Sequence, residues 1–88
     1  MPRYLVERRY GEGFSIEELG VDGQRLVREN NTQEGVTWLH SYYSREKRRS
    51  FCVYDAPSPE AIRRAAIRNR LPIHDITEVS VVDPYAHR

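Results

Sequence analysis

Arg49-Ser50-Phe51-Cys52-Val53-Tyr54-Asp55-Ala56-Pro57-Ser58-Pro59-Glu60-Ala61-Ile62 is the stretch that decides the architecture. Residues 49–55 are aromatic and β-branched in the manner of a strand, and Ala56-Pro57 ends it. Ser58 has the side chain of a helix N-cap. Pro59 takes the first helical position, where a missing N–H costs nothing. Ile62, Ala65 and Ala66 recur at helical spacing as a buried stripe, with Arg63, Arg64, Arg68 and Arg70 mostly on the outer side. Leu71-Pro72 stops the helix. A last strand is predicted over 76–82, closed by Asp83-Pro84, with a short tail over 85–88.

Working back from the quoted stretch, Gly35 opens a strand predicted over 36–43. A polar tip, Ser44-Arg45-Glu46-Lys47-Arg48, joins it to the strand over 49–55 as a hairpin. Further back, residues 3–10 read as a strand that stops at Gly11-Glu12-Gly13. Ser15 and Glu18 have capping-box spacing, so a helix starts there. Leu19, Gly23, Leu26 and Val27 share one face of it, Gly23 suits close approach to the sheet, and the end is expected near Asn30-Asn31. Two strand–helix–strand units joined by a hairpin make a βαββαβ chain. The expectation is one α+β ferredoxin-like domain over 1–88, an antiparallel sheet with two helices on one face. The other face is left bare, as in a dimeric α/β barrel.

The 88 residues amount to one domain, and a domain this small often gains stability by pairing. Fourteen basic against thirteen acidic residues leave a net charge of +1, which gives no global pull toward nucleic acid or an anionic membrane. No apolar run is long enough for a signal peptide or a span, so a cytoplasmic location is the default. The single cysteine, Cys52, has no internal disulfide partner.

Strand side chains alternate between faces. With the hairpin taken as symmetric about Glu46, His40 is opposite Cys52, Trp38 opposite Tyr54 and Tyr42 opposite Ser50. Leu39, Phe51, Val53, Val79 and Val81 then face the core. Glu7 is placed on the open face, because a carboxylate under a helix is costly to bury. The same alternation puts Tyr4, Val6 and Arg8 on the other face. The open face is expected to carry Leu5, Glu7, Trp38, His40, Tyr42, Cys52, Tyr54 and Glu78. A one-residue slip in the hairpin would exchange the faces.

Trp38-Leu39-His40-Ser41-Tyr42, then Phe51-Cys52-Val53-Tyr54-Asp55-Ala56-Pro57-Ser58-Pro59-Glu60-Ala61-Ile62-Arg63, then Leu71-Pro72-Ile73 leading into Ile76-Thr77-Glu78-Val79, resembles a family of small bacterial proteins. The family is a domain of unknown function whose members are often labelled nickel-binding proteins. The opening Tyr4-Leu5-Val6-Glu7-Arg8 is similar to that family's start. The resemblance covers nearly the whole chain and implies a ferredoxin-like fold, a homodimer and nickel binding. Gly20 and Gly23 depart from the family's alanine-richer first helix.

His40 is the foremost candidate for chemistry. It is read either as a hydrogen-bonded histidine in a dimer interface or as a metal ligand or general base. Glu7, Cys52 and Glu78 are the candidate co-ligands, and nickel or another divalent ion is the expected cofactor. His74 and His87 read as solvated surface residues that could form a looser site. The three histidines lack H-x-x-x-H spacing and Cys52 lacks a neighbouring cysteine. A Cys52–His40 thiolate–imidazole pair is a further reading, set against a small core cysteine. No nucleophile elbow, phosphate loop or dinucleotide fingerprint is present. The strand over 49–55 lacks the glycine-interleaved aromatics of RNA-recognition domains, so RNA binding is set aside. Three readings remain: a homodimeric metal-binding protein for sequestration or delivery, a cofactor-free enzyme with His40 as base, and an interaction module. The first is favoured over an enzyme.

Overall fold

The computed structural model describes residues 1–10 and 20–85. Its elements are β1 (Arg3–Arg9), α1 (Gly20–Gln33), β2 (Thr37–Ser44), β3 (Arg49–Asp55), α2 (Pro59–Asn69) and β4 (Asp75–Val79). The strands form one antiparallel sheet in the order β2-β3-β1-β4. This small α+β arrangement with two helices is compatible with a ferredoxin-like fold. The Gly11–Gly13 turn, the Ser15/Glu18 capping box, Leu19 and His87 lie outside the described residues. Among the described residues no helix is long and apolar enough to cross a membrane.

α2 forms as its sequence dictates. The Ser58 hydroxyl accepts the Ala61 N–H at 3.2 Å, Pro59 is the first helical residue, and Ala61, Ile62, Ala65 and Ala66 are buried. This small-residue face lets the helix come close to the sheet, where Tyr4, Val6, Cys52 and Tyr54 join it in one core. Arg70 follows the helix in the left-handed conformation, φ 56°. Its N–H reaches the Ile67 carbonyl and that of Leu71 reaches Ala66, the paired bonds of a Schellman end.

α1 runs past Asn30-Asn31 to Gln33 and ends the same way. Gly35, φ +72°, donates to the Thr32 carbonyl and Val36 to that of Asn31, at 3.0 and 2.9 Å. Gly35 is thus the stop of a helix rather than the start of a strand. The buried face of α1 carries Val27 and Asn31, and Leu26 is 57% exposed, contrary to expectation. The helices meet through amides: Asn30 Nδ2 donates to Asn69 Oδ1 and Asn69 Nδ2 to Asn31 Oδ1.

The hairpin register corrects the assignment of faces. Its tip has four residues, 45–48, so Ser44 pairs with Arg49, Tyr42 with Phe51 and His40 with Val53. A tip centred on Glu46 would have paired each β2 residue with the preceding position along β3. A bulge between Trp38 and His40 then restores the Trp38–Tyr54 pairing. Leu39 is the extra residue and is 38% exposed. The bulge puts Trp38 and Ser41 on the same face, and the indole N–H donates to the Ser41 hydroxyl at 2.8 Å.

Cys52, Tyr54 and Trp38 therefore point under the helices, whereas Phe51 and Val53 point away, the reverse of the sequence expectation. β1 keeps its expected phase, with Tyr4, Val6 and Arg8 buried. β4 stops at Val79 because its partner begins at Arg3, and the Pro2 carbonyl is taken by Ala56 N–H at 3.1 Å. Val79 is half-buried on the outward face, and Val81 is 67% exposed instead of in the core.

Candidate functional site

The outward face is built of cross-strand rows. His40, Val53, Leu5 and Thr77 form one row, and Tyr42, Phe51, Glu7 and Asp75 the next. Leu5, Val53 and Phe51 make a half-buried apolar centre. The imidazole of His40 is exposed and meets the Tyr42 ring edge-on, centroids 5.3 Å apart. Alternation along β2 keeps the two on one face. At the far side of the face, Glu7 and Asp75 are cross-strand partners, and His74 N–H donates to the Glu7 carbonyl at 2.8 Å. Arg9 Nε donates to the Glu7 carboxylate at 2.7 Å. That bond, which outweighs desolvation and is aided by the charges of Arg9, His74 and Arg49, holds the Glu7 carboxyl below its usual range. Arg3 grips Asp55 on the same face with two hydrogen bonds, 2.9 and 3.3 Å, and lowers its carboxyl likewise.

The four expected metal ligands do not converge. His40 and Glu7 share the outward face but stand on strands two apart, roughly 10 Å by strand spacing. Cys52 is fully buried on the inward face, its thiol 3.9 Å from Ser50 Oγ, which rules out the thiolate–imidazole pair with His40. Glu78 pairs with Tyr4 and is exposed at the sheet's edge on the helix side. After burial itself, the charges of Glu78 and Glu60 raise the Tyr4 phenol. Among the described residues no three His, Cys, Asp or Glu side chains group closely enough to hold a metal ion. Imidazole and carboxylate donors of this kind suit nickel, but the described residues of one copy bring no complete set together.

Sequence reasoning gave no role to two features. Asp75 joins Glu7 and His74 only through the β1–β4 register. Arg8 is buried under the helices, 2% exposed, and donates to the Tyr54 hydroxyl at 3.1 Å. The signal for Arg8 was present, since strand alternation that turns Glu7 outward must turn Arg8 inward. Around it, Tyr10 and Ser50 hydroxyls are 3.0 Å apart. Burial pushes the Tyr54 phenol far above its ordinary value, and that of Tyr10 upward too.

Comparison with known proteins matches this architecture. The crystal structure of SCO4226 from Streptomyces coelicolor A3(2) superposes with a TM-score of 0.77 at 18% identity, covering 92% of this chain and 99% of that one. At that identity the likeness concerns the fold. No curated protein matches. A family model described as nickel responsive protein SCO4226-like matches residues 4–79, from the first buried residue of β1 to the last of β4. The chain therefore belongs to the SCO4226-like family.

Proposed function

We propose that this protein is a cytoplasmic homodimer that binds a divalent ion, nickel, for sequestration or delivery. The observation that carries the reading is the match to a nickel-responsive family over 4–79. The outward sheet face supports the dimer. It has an apolar centre of Leu5, Phe51 and Val53, an exposed Tyr42, and a second copy is the partner a bare sheet face of this kind accepts. Packed face to face, the two sheets close toward a barrel.

The dimer also answers the divided ligand set. His40 lies too far from Glu7 within one chain for both to reach an ion with bonds of about 2 Å. A two-fold mate brings a second His40 and a second Glu7–Asp75 pair to the same interface, so the site is completed between copies. His40 is the dominant ligand, with Glu7 as its carboxylate partner. Protonated imidazole cannot ligate, so affinity falls as pH drops through the histidine range.

The test is calorimetric titration of nickel into tag-free protein, His40→Ala and His74→Ala, with light scattering on each. The expected result is a dimer that binds nickel and loses that binding in His40→Ala. Unchanged affinity in a folded His40→Ala variant, with loss in His74→Ala, would move the site to the β4 entry. No nickel binding by the wild type would end the metal reading.

A further inference from the structure

The inward face of the sheet carries a charge that the metal reading does not use. Its cross-strand rows are Trp38, Tyr54 and Tyr4, then Ser41, Cys52 and Val6, then Tyr43, Ser50 and Arg8. Ala61, Ile62 and Ala65 of α2 share one core with the tyrosines, Val6 and Cys52 of the first two rows. The third row is polar. Among the described residues Arg8 makes one hydrogen bond, from Nη1 to Tyr54, and its guanidinium stands 5.7 Å from the centroid of that ring. Its Nε is buried without a partner. Among the described residues no carboxylate pairs with it.

A desolvated cation that no described carboxylate neutralises is costly to hold in a core. Tyr54 cannot supply that charge, because its burial keeps the phenol protonated. We infer that Arg8 anchors an internal site for a small monocarboxylate, whose two oxygens take the Nε and Nη donors as a fork beside the Tyr54 and Ser50 hydroxyls. One buried positive charge neutralises one negative charge. A phosphate's second charge would stay uncompensated, since Arg9 and Arg49 alternate onto the outward face. The aromatic neighbours Tyr10 and Tyr54 suit a flat apolar body behind the carboxylate. β4 pairs with β1 only as far as Glu7, so among the described residues no strand covers the β1 edge beside Arg8.

The site is independent of nickel and is tested in metal-free protein. Benzoate is titrated while the arginine Nε–H signals are followed by ¹H–¹⁵N spectroscopy, with neutral benzamide and inorganic phosphate as parallel probes. Benzoate should shift the Arg8 Nε–H saturably and raise the melting temperature, whereas benzamide and phosphate should not. Arg8→Gln should weaken benzoate by at least about tenfold, the loss of a charge-assisted pair. Tyr54→Phe, which keeps the ring in the core, should weaken it less and serves if Arg8→Gln does not fold. No saturable shift at millimolar benzoate overturns the proposal. So does equal binding by a folded Arg8→Gln variant, or a phosphate response as strong as that to benzoate.

Discussion

Replacing Ile62 with alanine probes the packing of α2 on the sheet. The side chain is 1% exposed and packs in the cluster with Tyr4, Val6, Tyr54, Ala61 and Ala65. Losing three carbons removes roughly 2.4 kcal/mol of transfer free energy at about 0.8 kcal/mol per methylene. A cavity adds to this. The helix neighbours of Ile62 are alanines, too short to refill the space, and the sheet neighbours include rings held on strands. The expected loss is therefore about 3–4 kcal/mol, within the range for buried Ile→Ala changes. At roughly 4–8 °C per kcal/mol for a domain of this size, the melting temperature should fall by about 12–30 °C.

Arg64→Ala is the control. Arg64 is exposed and pairs with Glu34 at 2.7 Å, while Arg68 also holds that carboxylate at 3.1 Å. A surface pair contributes about 0–1 kcal/mol, and with Arg68 remaining the loss should be near the lower end. Urea denaturation followed by circular dichroism, at one protein concentration because the midpoint of the proposed dimer would depend on it, gives both values. A drop below about 1 kcal/mol for Ile62→Ala, or equal losses for the two variants, would show that this face of α2 is not the core.

Three further outcomes follow from the structure. Arg70→Gly should stabilise the protein by about 1 kcal/mol, because a left-handed residue then carries no Cβ; a lower urea midpoint would contradict this. Phe51→Lys should leave a folded monomer by light scattering, since it places a charge at the centre of the outward face; an unchanged dimer mass would remove that face from the interface. Glu34 is held low chiefly by its hydrogen bond from Arg64, then by Arg68, as Glu7 and Asp55 are by Arg9 and Arg3. Depressed carboxyls contribute stability above their unfolded values near 4, and it is lost as pH falls through the folded ones. The urea midpoint should therefore decline below about pH 5, less steeply in Glu34→Gln; a midpoint that rises on acidification would refute the sign.

Much of the fold was legible in local chemistry. Ser58 and Pro59 set the start of α2 because a cap and a missing N–H act within one turn. Ile62, Ala65 and Ala66 named its buried face because helical periodicity is local. The phase of β1 followed from the cost of burying Glu7. Each of these depends on residues a few positions apart, so the sequence by itself determined the order of elements and which side of α2 is core. The pairing across the β2–β3 hairpin is different. A four-residue tip and a bulge at Leu39 shift the register by one position. Because strand side chains alternate, that single shift moved Cys52 and Tyr54 inward and Phe51 and Val53 outward. The shared outward face of His40 and Glu7 was expected from strand alternation, whereas tertiary structure alone decided that the two do not meet and that Asp75 and His74 come to Glu7. It also decided that no carboxylate among the described residues pairs with the buried Arg8, because these relations join strands distant in the chain.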